Sequence, residues 1–126
     1  NNSQLAGHVH VGDYAILGGF TAVHQFCHIG AHSITAIGTV VLQDIPPFMI
    51  ASGNTAEPHG INSEGLKRRG FPADAITGIK RAYKTLYKSG LTLSEARRKI
   101  ATQVRACPEL RMLLDFLDQS TRGIVR

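Results

Sequence analysis

Residues 1–66 contain no lysine and no arginine. Their acids, Asp13, Asp44, Glu57 and Glu64, give that half a charge of −4, while residues 67–126 hold all 14 basic residues against five acids, a balance of +9. All six histidines lie in the first half. Such a split predicts two structural units with a basic surface on the second. No apolar run approaches the roughly 20 residues of a membrane-spanning helix, and no basic segment precedes an apolar one as in a signal peptide. The two cysteines, Cys27 and Cys107, match no metal or disulfide spacing, which fits a reducing, cytoplasmic setting. No aromatic platform or known binding motif accompanies the basic residues, which argues against a nucleic-acid partner. The chain opens at Asn1 without an initiating methionine, as a processed or longer protein would. With 43% hydrophobic and 18% charged residues, it can form a packed core.

What is present first is a period of six. Every sixth residue from Leu5 reads Leu5, Val11, Leu17, Val23, Ile29, Thr35, Val41, and the next position reads Ala6, Gly12, Gly18, His24, Gly30, Ala36, Leu42. Four places on from the first series come Val9, Ala15, Thr21, Cys27, Ser33, Thr39 and Ile45. This is the hexapeptide signature of a parallel β-helix, in which each hexad makes a short strand and a corner. A β-sandwich is disfavoured because sandwich loops vary in length and these do not. With three hexads per coil, residues 18 apart stack at about 4.8 Å, so Val23 should lie on Leu5 and Val41 on Val23. Asn1 to Gln4 fit the end of an earlier hexad. Seven hexads make only about two and a third coils, fewer than the three or more layers a solenoid generally needs, so further coils are expected upstream. Pro46-Pro47 should end the repeat, because neither can donate to another strand.

The pattern then changes. Residues 1–50 read as β-helix coils, 51–66 as a connecting loop punctuated by Gly53, Pro58, Gly60 and Gly65, and 67–126 as a helical domain. Ile76, Ile79, Tyr83 and Leu86 predict a helix from about Ala73 to Ser89, followed by Gly90 as a stop. Thr92 with Glu95 forms a capping box for a second helix carrying Leu93, Ala96, Ile100 and Val104. Pro108 opens a third with Leu110, Leu113, Leu114 and Leu117, stopped by Gly123.

Four segments carry a more specific signal. They are Gly18-Gly19-Phe20-Thr21-Ala22-Val23-His24-Gln25-Phe26-Cys27, Gln43-Asp44-Ile45-Pro46-Pro47, Asn62-Ser63-Glu64-Gly65-Leu66-Lys67-Arg68-Arg69-Gly70-Phe71 and Ser120-Thr121-Arg122-Gly123. Together they closely resemble the C-terminal part of the acyl-carrier-protein–UDP-N-acetylglucosamine O-acyltransferases of lipid A biosynthesis, within the hexapeptide-repeat acyltransferase superfamily. The resemblance covers the whole chain. It implies a β-solenoid plus α fold, with the last coils of a left-handed parallel β-helix followed by a small C-terminal helical domain. It also implies a homotrimer with clefts between subunits. The implied reaction moves a 3-hydroxyacyl chain from the phosphopantetheine of acyl carrier protein to the 3-hydroxyl of UDP-N-acetylglucosamine, with no other cofactor. The family's general base sits in a His-x-Ala-His-Asp-Cys motif that has no match in residues 1–126, so these residues alone are expected to turn over little or no substrate.

The resemblance also implies residue roles. Gly7 matches a backbone donor to the oxyanion, although a glycine is equally at home at a β-helix corner. His8 and Gln25 match residues of the substrate cleft; read alone, they are polar residues facing outward. His24 lies in the resembling segment at a corner position usually given to a small residue, and its size points to a role at the site. Asn62, Glu64, Arg68 and Arg69 match nucleotide-sugar contacts, and paired arginines can clamp a diphosphate with charge-assisted bonds. Ile37 stands where a family glycine leaves room for a long acyl chain, so its bulk should shorten the chain, to on the order of ten carbons as the resemblance implies. Lys80, Arg81, Lys84, Lys88, Arg97, Arg98 and Lys99 are either a solvated face or a docking surface for the acidic carrier protein.

Four other readings compete. His10 and His28 stack 18 residues apart and His24 lies four from His28, but zinc catalysis needs three converging ligands, and the ligand pair five residues apart of the trimeric β-helix carbonic anhydrases is missing. Cys27 falls on a small inward position, unlike a nucleophile. A hexapeptide acyltransferase with another acceptor, or a non-catalytic trimerisation and nucleotide-sugar-binding module, would share the fold.

Overall fold

A computed structural model describes residues 2–126; Asn1, the start of the partial hexad, lies outside the described residues. Among the described residues, seven two-residue strands recur six apart: β1 (Gln4–Leu5), β2 (His10–Val11), β3 (Ile16–Leu17), β4 (Ala22–Val23), β5 (His28–Ile29), β6 (Ile34–Thr35) and β7 (Val40–Val41). β1, β4 and β7 form one parallel sheet, β2 and β5 a second, and β3 and β6 part of a third. Val23 pairs with Leu5 and Val41 with Val23, so the register of 18 is the predicted one. The chain is a left-handed parallel β-helix with helices behind it.

The interior follows from the hexad. Val23, Ile29 and Val41 are buried, while Leu5 and Val11 in the first coil are nearly half exposed. The small series also points inward. The hydroxyls of Thr21, Ser33 and Thr39 each donate back to the carbonyl three residues earlier, on Gly18, Gly30 and Ala36, at 2.6 Å. Each corner thus supplies its own acceptor to a buried hydroxyl that would otherwise be costly. Coils approach so closely that a Cβ on Gly30 would lie 2.7 Å from backbone atoms of Pro46 and Pro47.

The second residue of each corner adopts the left-handed region: His8, Tyr14, Phe20, Phe26 and His32 have φ of 59–66°. Bulky residues seldom sit there. Ring stacking between coils offsets the cost: His8 lies 4.9 Å from Phe26 and Tyr14 5.2 Å from His32, both nearly coplanar.

The prolines do not end the β-helix. β8 (Met49–Ser52) continues the third sheet, pairing parallel with β6 through Ile34↔Ile50. Pro46 and Pro47 occupy a corner, where Ile45 supplies a carbonyl to Gly30 and Phe48 the next donor, to Ala31; no ladder bond is asked of either proline. The segment expected to be a loop, 51–66, instead completes β8, returns as the antiparallel strand β9 (Glu57–Ile61) and enters helix α1 (Ser63–Arg68). Its glycines and Pro58 punctuate a hairpin.

Helices α2 (Ala73–Tyr87), α3 (Leu93–Ala101) and α4 (Leu110–Gln119) follow. The Thr92–Glu95 capping box is formed, both reciprocal bonds being present. α4 starts two residues after Pro108 and ends at Gln119, so Gly123 does not stop it. The tail beyond α4 instead runs back to the β-helix: Ile124 bridges Asp44, the Gly123 carbonyl accepts from the Asp44 N–H, and Val125 donates to the Asp44 carbonyl. The buried Asp44 carboxylate accepts from the His28 N–H at 2.8 Å and from the Ser120 hydroxyl at 2.6 Å. The Gln43–Pro47 and Ser120–Gly123 segments are thus two sides of one joint. Despite the charge split, the buried side chains of β-helix and helices form one continuous cluster. No helix among the described residues is long and apolar enough to cross a membrane.

Candidate functional site

The candidate residues fall on three corners of the prism. The first corner follows β1 and β4. It brings together Gly7, His8, His24 and Gln25, all exposed. The Phe26 N–H donates to the Gly7 carbonyl at 3.1 Å, tying the two coils, and His8 lies flat on Phe26. His24 Nδ1 is 3.2 Å from the Gln25 carbonyl. A Cβ placed on Gly7 would meet nothing within 4 Å. The following coil therefore does not demand this glycine, whereas Gly30 is held by the Pro46–Pro47 backbone.

The second corner follows β2 and β5, and α1 is docked on it. Asn62 is the N-cap of α1: its Oδ1 accepts from the Gly65 N–H at 3.2 Å and its Nδ2 donates to the His32 carbonyl at 3.0 Å. At 6% exposure, its amide holds the helix start to the β-helix. Gly65 is buried because its Cβ position is taken by the Asn62 and Arg69 side chains. Leu66 is fully buried. Glu64 and Arg68 are exposed. Arg69 is half-buried, donates from Nε to His32 Nδ1 at 2.8 Å and places Cζ 5.3 Å from the centre of the Tyr14 ring.

The third corner follows β3 and β6. There Ile37 is 75% exposed beside Gly38, whose N–H donates to the Gly19 carbonyl. Within one chain, Ile37, the His8–Gln25 group and the Glu64–Arg69 group therefore occupy different edges.

Tyr14 and His32 were missed from the sequence as parts of the site. Their signal was available: every sixth residue from His8 reads His8, Tyr14, Phe20, Phe26, His32, an aromatic series one place after the corner position. His32 is 7% exposed, and its basicity is pushed below the usual histidine value, first by burial and then by the Arg69 charge, with Asp13 opposing.

The remaining candidates are spread out. Lys80, Arg81, Lys84 and Lys88 are exposed on α2, and Arg98 and Lys99 on α3, whereas Arg97 is engaged by Asp118 in a two-pronged ion pair. Cys27 is fully buried, and desolvation pushes its thiol up, away from a nucleophile's range. His10 and His28 stack with ring centres 4.7 Å apart; no group of three or more metal-ligating side chains converges among the described residues. A cleft of about 610 Å³ between the β2–β5 face and α4 includes that pair but none of the candidate site residues.

Comparison with known proteins bears on the family and the fold. A family described as UDP N-acetylglucosamine O-acyltransferase, domain 2, matches residues 44–125. The acyl-carrier-protein–UDP-N-acetylglucosamine O-acyltransferase of Thiobacillus denitrificans is 60% identical over 126 residues, covering 100% of this chain and 49% of that protein. The solved UDP-N-acetylglucosamine O-acyltransferase of Moraxella catarrhalis superposes with a TM-score of 0.97 at 38% identity, over 100% of this chain and 49% of the other. The UDP-N-acetylglucosamine acyltransferase of Arabidopsis does so with 0.90 at 35%, over 100% and 47%. The chain spans about half the length of the curated relatives it matches. With a matching family that covers most of its residues and the same fold along its whole length, this chain belongs to the UDP-N-acetylglucosamine O-acyltransferase family.

Proposed function

We propose that these residues form the nucleotide-sugar-binding half of an enzyme that moves a 3-hydroxyacyl chain from acyl carrier protein to the 3-hydroxyl of UDP-N-acetylglucosamine, the first step of lipid A biosynthesis, in the cytoplasm. The observation that supports this most is the separation of the exposed groups. Gly7, His8, His24 and Gln25 share one corner, Glu64, Arg68 and Arg69 flank another, and Ile37 stands on a third. A homotrimer would set a corner of one protomer against a different corner of the next and join groups that one chain keeps apart.

In such a cleft, Arg68 and Arg69 would hold the diphosphate and Glu64 the ribose or uracil edge. Asn62 acts behind them by fixing the start of α1. The sugar hydroxyl attacks the thioester carbonyl while a general base takes its proton. The Gly7 N–H stabilises the oxyanion, and the lack of a side chain on Gly7 lets the thioester come close. The tetrahedral intermediate collapses, the carbon–sulfur bond breaks, and the phosphopantetheine thiolate leaves and is protonated. The base is supplied by residues outside these 126, and a coil laid on the half-exposed Leu5 and Val11 would bring it beside Gly7. Lys80, Arg81, Lys84 and Lys88 form the docking face for the carrier.

The test is a transfer assay with UDP-N-acetylglucosamine and a panel of 3-hydroxyacyl carrier proteins, comparing this chain with a version extended upstream. Activity in the extended enzyme alone supports the reading. Folded trimers of both without transfer would point to another acceptor or to a binding role. Arg68→Ala in the extended enzyme should raise the KM for the sugar nucleotide about tenfold, the loss of one charge-assisted bond; an unchanged KM would remove Arg68 from the site.

A further inference from the structure

We infer that His32 is a positioning residue of the transferase, whose neutral ring orients the Arg69 guanidinium for the sugar-nucleotide diphosphate. The inference rests on the assignment of Arg69 to that diphosphate made above.

An arginine Nε–H can only donate, so at 2.8 Å His32 Nδ1 must be the acceptor. The ring is therefore neutral, with its proton on Nε2. The ring is packed between three aromatic neighbours. Tyr14 stacks on it at 5.2 Å and Phe48 at 5.9 Å, Phe71 meets it edge-on at 5.0 Å, and its carbonyl accepts from Asn62 Nδ2. Arg69 is thus anchored at Nε and packed against the Tyr14 ring.

The choice of anchor matters. Arginines are usually oriented by carboxylates, which also cancel their charge. Among the described residues the one ion pair is Arg97–Asp118, and no carboxylate pairs with Arg69. A neutral imidazole gives direction while leaving the positive charge intact for an anionic ligand. Orientation without neutralisation is the property a diphosphate clamp needs.

The same bond makes the anchor sensitive to acid. The charged groups facing His32 are Arg69, from the end of α1, and Asp13, from the β2–β3 corner beside the Tyr14 phenol. Burial and Arg69 disfavour the imidazolium and Asp13 favours it, the balance lying below the ordinary histidine range. Once protonated, His32 offers Nε no lone pair and sets a second cation against Arg69. Arg69 is therefore held at neutral and alkaline pH and released as pH falls through the lowered value.

Two substitutions separate these effects. His32→Phe keeps a ring in the stack, at a backbone conformation that Phe20 and Phe26 already adopt, but removes the acceptor. His32→Asn puts Oδ1 where Nδ1 was, tolerates positive φ and cannot titrate. In the extended enzyme at pH 8, His32→Phe should raise the KM for UDP-N-acetylglucosamine about tenfold, leave kcat within about twofold, and abolish the further rise in KM expected of the parent as pH falls below the ordinary histidine range. His32→Asn should keep the parent KM at pH 8 and also lose the acid rise. A parental KM in His32→Phe beside a raised KM in Arg69→Ala would refute the positioning role while sparing the Arg69 assignment. An unchanged KM in Arg69→Ala would refute both. If His32→Phe fails to fold, persistence of the acid rise in His32→Asn refutes the proposal by itself.

Discussion

Replacing Asp44 by alanine tests the joint between the β-helix and the C-terminal tail. The carboxylate is 1% exposed and accepts two bonds, from the His28 N–H and the Ser120 hydroxyl. Each hydrogen bond to a charged group is worth about 1.5–3 kcal/mol, and stranding the part-buried His28 N–H costs up to about 1–3 kcal/mol in place of one of them. Removing the carboxylate also relieves its own desolvation cost. The net loss for Asp44→Ala should be about 3 kcal/mol. Asp44→Asn keeps an acceptor for His28, and its amide can donate to the Ser120 oxygen, so it should lose only about 1 kcal/mol. Urea unfolding at one fixed protein concentration reads these differences, because any assembly adds a concentration-dependent term. Ser120→Ala and the double variant complete a cycle whose coupling energy should be about 1–2 kcal/mol. An Asp44→Ala variant within about 0.5 kcal/mol of the parent, or strict additivity with Ser120→Ala, would show that the carboxylate does not hold the tail.

Further outcomes follow from the corners and the basic face. Gly30→Ala drives a Cβ into the Pro46–Pro47 backbone and should cost about 1–3 kcal/mol in the same unfolding experiment. Gly7→Ala meets no atom of these residues; in the 126-residue chain it should leave stability within about 0.5 kcal/mol, and in the extended enzyme it should lower kcat. Ile37 is exposed at its corner, and Ile37→Gly should shift the preferred donor to longer 3-hydroxyacyl chains in a competition among carrier proteins; an unchanged preference assigns the limit elsewhere. Lys84→Glu on the exposed face of α2 should weaken carrier-protein binding, and the parent's affinity should fall between 50 and 300 mM salt, screening lengths of roughly 14 to 6 Å; salt-independent binding would refute the docking face.

The order of the chain is written locally wherever a period repeats. Six-residue spacing alone places Val23 on Leu5 and turns Thr21, Cys27, Ser33 and Thr39 inward, because a strand and corner of constant length leave one arrangement for the side chains. The Thr92–Glu95 box is equally local, a contact across three residues. The corner group of Gly7, His8, His24 and Gln25 follows from the same register, since residues 17 or 18 apart must be neighbours.

Other features carry no period. That Pro46 and Pro47 could sit at a corner and let β8 rejoin the third sheet depended on the coil shortening, with Ile45 bridging Ile29 and Ile50 pairing with Ile34, each 16 residues apart instead of 18. That Asn62 spends its amide on a helix cap, and that His32 holds Arg69, became visible only with α1 docked on the second corner. His32 and Arg69 are 37 residues apart and Asp44 and Ser120 are 76 apart. Hydrophobic spacing says which face of an element is buried. It says nothing about which buried polar group on one element meets its partner on another, because a satisfied hydrogen bond between distant segments is decided by how the faces dock. The hexads and helix signals therefore determined the architecture and the outward corners, and the tertiary structure alone decided how the Arg69 guanidinium is oriented and how the tail is tied.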